Sequence, residues 1–369
     1  MRKFNSNLSA ILLVLTTVCS LCIEPIHAAE MGQMVFAVDV IRHGDRGPIF
    51  DLPIDCHKWP QGLGELTPEG MNQEFQLGQQ FRERYITQNH LLPETFDVEK
   101  IYVRASDVDR TLMSAECTLL GLYPFGTGPL TDAGSPGAPS RYQPIPIHTQ
   151  PRETDDVLIP EANKGLPDVY KQYVYESADW KERSAKEKPN FEKWSRVTGI
   201  KISDLKQLSR IGDAVHIRQI HHVPMPEGMT QADADAIMDV GEWVFAQTFK
   251  PPEVGQAAGM HLLNLIAKHL KDATKDDAKL KYVLFSAHDS TIATLMSALK
   301  SPAKERPRYS SDLSITLWKN SAGYSVKAAL NGEPVNFPGA VNGVSSLDKF
   351  EGLAQAQDDN APGKGHHDD

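Results

Sequence analysis

The 369-residue chain is short of cysteine. It has four, and two of them, Cys19 and Cys22, fall at the extreme N-terminus, leaving Cys56 and Cys117. A disulfide-framed miniprotein is thereby excluded, and the spacing of Cys56 and Cys117 does not say whether they pair. No long basic run occurs, and 38 Lys+Arg stand against 48 Asp+Glu for a net charge of −10, which argues against a non-specific nucleic-acid binder. No apolar run is long enough for a good membrane span. The G-x-S-x-G elbow, the P-loop and the H-E-x-x-H zinc motif are also missing, and with them the commonest signatures of serine hydrolases, nucleotide-binding proteins and zinc proteases. What is present, 40% hydrophobic and 23% charged residues, is the composition of a folded protein rather than a disordered or collagen-like one.

The N-terminus has the layout of a secretory signal: Arg2 and Lys3, an apolar stretch from Ile11 to Ile23, then Ala28-Ala29. The alternative, an N-terminal anchor, is disfavoured by the shortness of the stretch. Residues 1–29 are therefore expected to be a signal peptide, and the protein exported, periplasmic or secreted. The polar stretch 355–369 is expected to be a flexible tail. Its end, His366-His367-Asp368-Asp369, reads as solvated rather than metal-binding.

Three short apolar runs predict buried strands: Met34 to Ile41, Ile101 to Val103, and Lys281 to Ser286. Thr67-Pro68-Glu69 predicts a helix start, as does Asp109. Residues 152–251 carry spaced apolar positions among Lys, Glu and Asp, with Ser203 and Thr230 as candidate N-caps. They read as a helical insertion. Ser314 to Trp318 and Tyr324 to Leu330 predict late strands, in hairpin arrangement.

Chemistry gathers behind the three buried strands. The first runs into Arg42-His43-Gly44-Asp45-Arg46-Gly47-Pro48, the second into Arg104, the third into His288-Asp289. In an open α/β sheet, ligands bind outside the carboxyl ends of the strands. Arg42, Arg46 and Arg104 gathered there would repel one another unless an anion sat among them, and guanidinium forks suit phosphate oxygens. His43 lies between two of them, where an imidazole nitrogen can attack phosphorus. Asp289 is the natural proton donor to the leaving alkoxide, which predicts best activity in acid.

The segment Arg42-His43-Gly44-x-Arg46-x-Pro48, with the later His288-Asp289, resembles the histidine acid phosphatases. Average residue frequencies give the first motif roughly one chance in ten thousand in such a chain. Tyr102 to Ala115, Trp59 to Thr67, Gln143 to Thr149 and Phe285 to Asp289 look like the prostatic-type members. The resemblance implies a three-layer α/β sandwich with a mostly parallel central sheet and a smaller inserted helical domain. On this chain the α/β domain would be discontinuous, residues 30–151 and 252–350, interrupted by 152–251. It further implies acid phosphomonoesterase activity without cofactor or metal: His43 as phosphorylated nucleophile, Asp289 as proton donor, and Arg42, Arg46, Arg104 and His288 holding phosphate. Small phosphate monoesters would be the partners, with no nucleic acid and no stable membrane anchor. Animal members carry several disulfides where this chain could form at most one after maturation; whether their dimer interface carries over, and with it a homodimer, stays open.

Other readings compete at single residues. Arg104 could instead pair with Asp107 or Asp109. Asp107-Val-Asp109-Arg-Thr111 fits the D-x-D-x-T pattern of aspartyl, magnesium-dependent phosphatases, but Arg104-Ala-Ser106 separates it from the apolar strand. Asp45 could touch substrate or be solvated in its loop. His216, His221 and His222 could line a cleft, and His57 and Trp59 could border the substrate. A phytase needs further cations over the pocket. The loop from Ile49 to Gly64 offers only Lys58, which favours simpler substrates.

Overall fold

The structure, a computed structural model, describes residues 31–358. The expected signal peptide and all of the expected tail beyond residue 358 lie outside the described residues. The sheet is built from β1 (Gln33–Arg42), β2 (Ile101–Ala105), β3 (Tyr282–Ala287), β4 (Asp312–Asn320) and β5 (Gly323–Leu330), with the short β6 (Glu333–Pro334) and β7 (Val344–Ser346). The strand order is β2-β3-β1-β4-β5-β6, with β7 beside β5. β2, β3 and β1 are parallel neighbours, and the predicted β4–β5 hairpin adds antiparallel pairs. β5 runs in the same direction as β1, so among the long strands only β4 is reversed.

Alternation along β1 explains its two-sided burial. Phe36, Val38 and Val40 face one apolar layer, while Ala37 and Ile41 face the other. The first layer is covered by Met260–Asp272 and Asp289–Ala298, and also by Leu347–Asp358; the second by Pro68–Arg82 and Asp109–Leu122. This is the three-layer α/β sandwich. Asp39, the one acid in β1, takes hydrogen bonds from the Tyr85 and Tyr282 hydroxyls, both at 2.8 Å. The helix Leu347–Asp358 was not expected from the sequence, and it runs four residues into the segment expected to be a flexible tail.

In chain order the helices are α1 (Pro68–Arg82), α2 (Asp109–Leu122), α3 (Ala178–Glu187), α4 (Phe191–Thr198), α5 (Lys206–Ile220), α6 (Gln231–Phe249), α7 (Met260–Asp272), α8 (Asp289–Ala298) and α9 (Leu347–Asp358), besides shorter turns. α3 to α6 share a second apolar cluster, with Trp180, Trp194, Leu208, Ile211, Ile237 and Val244 inside it, which also takes in Leu52 and, from α8, Ala293. Thr230 caps α6 in a reciprocal capping box. Ser203 does not cap α5, which begins at Lys206; the Gln207 side chain accepts from the Ser203 backbone N–H instead, at 2.7 Å. Cys56 is exposed, Cys117 is half-buried, and both are free thiols.

Candidate active site

β3 lies between β2 and β1, and the parallel register sets Arg42 beside Ala287. Arg42-His43 and His288-Asp289 therefore leave adjacent strand ends, and the His43 N–H bonds the Ala287 carbonyl at 3.1 Å. The loop beyond His43 is pressed onto the first turn of α1. Thr67 caps that helix, its hydroxyl accepting from Gly70 N at 3.1 Å. A Cβ on Gly70 would come within 2.2 Å of the Asp45 carbonyl oxygen, so only glycine permits the approach.

His43 is buried, and its Nδ1 lies 2.8 Å from the Gly44 carbonyl oxygen. A carbonyl only accepts, so Nδ1 carries the proton and Nε2 keeps its lone pair. Burial, then the charges of Arg110, Arg42 and Arg46, hold the imidazole well below its ordinary pKa. His288 stands with its ring centroid 5.6 Å from that of His43. Burial and Arg110 push its pKa down to about 3. Its Nε2 lies 2.9 Å from the Ser106 hydroxyl and its Nδ1 3.4 Å from Arg110 Nη2.

The cations are fixed by partners around this pair. Arg42 bonds the Pro307 carbonyl, reaches Asp289 at 3.2 Å, and lies 4.2 Å over the Tyr309 ring. Arg46 makes a forked pair with Asp213 of α5, both bonds 3.1 Å. Nε of Arg42, Arg46 and Arg110 is buried with no partner among the described residues, as is Nε of Arg104; bound phosphate oxygens suit such unmet guanidinium donors. Asp289 opens α8, and its Oδ2 touches both Arg42 and Arg306, the latter at 2.9 Å. Burial alone would raise the Asp289 carboxyl. The two guanidiniums outweigh it and hold it well below the usual carboxylate range.

One cavity of about 540 Å³ is lined by His43, Arg46, Arg110, His288 and Asp289. A second, of about 700 Å³, is lined by Arg42, His216 and Tyr309; Arg306 belongs to both. This is a set of cations around a neutral imidazole with an unused nitrogen, beside a carboxylate.

A stretch of 278 residues, 54–331, matches the family model described as histidine phosphatase superfamily (branch 2). The chain belongs to that family. It is 32% identical over 349 residues to the prostatic acid phosphatase of Mus musculus, covering 90% of this chain and 88% of the relative. It is also 32% identical to the lysosomal acid phosphatase of Xenopus laevis over 343 residues, covering 89% and 77%. Among solved structures, the phytase from Citrobacter braakii superposes with a TM-score of 0.66 at 17% identity, over 88% of this chain and 98% of that one. That likeness concerns the fold alone.

Of the six site residues expected in this phosphatase, five come together and Arg104 does not. β2 extends to Ala105, so Arg104 is still inside the strand and leaves a face of the sheet rather than its end. The segment through His148 pairs along β2 and brings Gln150 and Asp155 to it; Arg104 bonds Gln150 at 2.9 Å and forms a tight ion pair with Asp155. The third guanidinium near the histidines is that of Arg110, in the first turn of α2. The sequence signal was available: a residue at a helix N-terminus just past a strand points at the ligand edge, where anions bind. Asp213, Arg306 and Tyr309 were also missed, and no local motif marks them.

Asp107 and Asp109 are exposed and line neither cavity, so the D-x-D-x-T reading has no site. Asp45 is buried, bonded by the Thr67 hydroxyl at 2.5 Å and 2.8 Å from His221. His221 and His57 both stand edge-on to Trp59.

Proposed function

We propose that this phosphatase hydrolyses phosphate monoesters through a covalent phosphohistidine on His43. The observation that carries the reading is the His43 imidazole, its Nδ1 held by Gly44 and its Nε2 uncommitted, among Arg42, Arg46 and Arg110. Nε2 attacks phosphorus while the P–O bond to the leaving group breaks. The guanidiniums and His288 take the charge on the phosphoryl oxygens. Asp289 gives its proton to the departing alkoxide. The resulting carboxylate then takes a proton from the water that attacks the phosphohistidine, which frees phosphate and restores His43.

Arg42 and Arg306 keep Asp289 ionised, so its proton must arrive with the substrate. A phosphate monoester carries such a proton below its second pKa, about 6. Phosphate bound on Arg42 also takes over part of that cation's field. Because the His43 pKa is depressed, the imidazole stays unprotonated well below pH 6.5, where a free histidine would be charged. Hydrolysis of p-nitrophenyl phosphate is therefore expected to be fastest below about pH 6, and to be indifferent to EDTA because no step uses a metal. Activity that rises through pH 7, or vanishes with EDTA, overturns the mechanism.

Asp289→Asn is expected to lower kcat/KM about 10²- to 10⁴-fold for alkyl phosphates. The loss should be much smaller for p-nitrophenyl phosphate, whose leaving group needs no proton. Since kcat/KM reports steps only up to phosphoryl transfer, equal losses on both esters would contradict the donor role. We further propose that residues 1–29 direct export and are removed, which N-terminal sequencing of the exported protein tests. Among the described residues no helix is long and apolar enough to cross a membrane.

A further inference from the structure

The cavity holding His43 has more positive charge than one phosphoryl group can use. Five arginines line it: Arg46, Arg110, Arg152, Arg210 and Arg306. Arg46 is answered by Asp213, and Arg306 by Asp289 and Glu242. Arg110, whose Nη2 lies 3.4 Å from His288, would be answered by the phosphoryl group being transferred. Arg152 and Arg210 have no carboxylate within ion-pair distance among the described residues. The only other acid lining this cavity is Glu161; burial raises its pKa, and Arg152's charge opposes that rise without an ion-pair contact between them.

The two extra cations come from different parts of the fold. Arg152 sits on the turn Arg152–Thr154, just after the segment that flanks β2. Arg210 is on α5, and its guanidinium carbon lies 5.1 Å over the Phe50 ring, which steadies the side chain while leaving its N–H edges free. Both are exposed. Ile49, Phe245 and Phe249 give the same cavity an apolar wall. The loop 49–64, where the sequence offered only Lys58, is not the source of these cations; Lys58 does not line the cavity.

Resting on the reading of His43 as the phosphoryl acceptor, we infer that Arg152 and Arg210 form a second anion subsite, for a phosphate group that stays on the substrate. The preferred substrates are then small molecules carrying two phosphates, one cut at His43 and the other held at the rim. Exposed guanidinium–phosphate bonds are worth about tenfold or more in transition-state binding when two act together.

The test compares kcat/KM for fructose 1,6-bisphosphate and fructose 6-phosphate at pH 5 and low salt, in wild type and in Arg152→Gln/Arg210→Gln. Having two phosphates gives the bisphosphate a factor of about two by counting alone. The expected wild-type ratio is about tenfold or more, collapsing towards two in the double variant. A wild-type ratio near two overturns the subsite, and so does a large ratio that the double variant keeps. Trapping of phosphohistidine is measured on the same preparations. If trapping succeeds and the ratio is two, the subsite alone fails; if trapping fails, the His43 reading fails first.

Discussion

His43→Ala is expected to abolish turnover, with a loss on the order of 10⁵-fold or more, as when a nucleophile is removed from a cooperating set. With a labelled monoester, wild type quenched during turnover should carry acid-labile phosphate on His43, and the variant should carry none. The fold should survive, because the His43 side chain makes one hydrogen bond, ring contacts with His288 and Tyr309, and no ion pair. The phosphate-binding cations remain in the variant. Inorganic phosphate should therefore still raise its Tm, as any ligand that binds only the native state must. Loss of that Tm shift would mean that the site had collapsed. A folded, phosphate-binding variant that still becomes labelled would place the nucleophile elsewhere and remove the basis of the mechanism.

The parts of the site that could be read from sequence are those set by local rules. A Val-rich strand that ends in Arg42-His43 and an apolar strand that ends in His288-Asp289 need only one further fact, that their strands are parallel neighbours. The edge rule for α/β sheets then supplies the site. Thr67-Pro68-Glu69 and Thr230 fixed helix starts because caps are written in adjacent residues. The partners that orient the cations follow no local rule. Asp213 lies 167 residues from Arg46, and Arg306 meets Asp289 through a loop with neither strand nor helix. Arg104 failed for a narrower reason. The strand was expected to stop at Val103, and two more residues of β2 turn the Arg104 side chain from the ligand edge onto a face of the sheet.

That difference between Arg104 and Arg110 gives the second large effect. Arg110→Ala removes a guanidinium that lines the His43 cavity and whose Nη2 faces His288 at 3.4 Å. Losing one such donor to the transferring phosphoryl group should cost about 10²- to 10³-fold in kcat/KM. Its stability should change little or improve, since Arg110 sits in a repulsive field: burial, then Arg46, lower its own pKa to about 10. Arg104→Ala should do the reverse. It strands the buried Asp155 carboxylate, and breaking one side of a buried pair costs about 3 kcal/mol or more, or roughly 5 °C in Tm for a chain of this size. Well below that Tm its kcat/KM should stay within about tenfold of wild type, because its guanidinium lines neither cavity. Steady-state kinetics and thermal melts on the two variants decide the matter together. Should Arg104→Ala lose activity a hundredfold while melting like wild type, the third phosphate-binding cation would be Arg104 after all, and Arg110 would be only its neighbour.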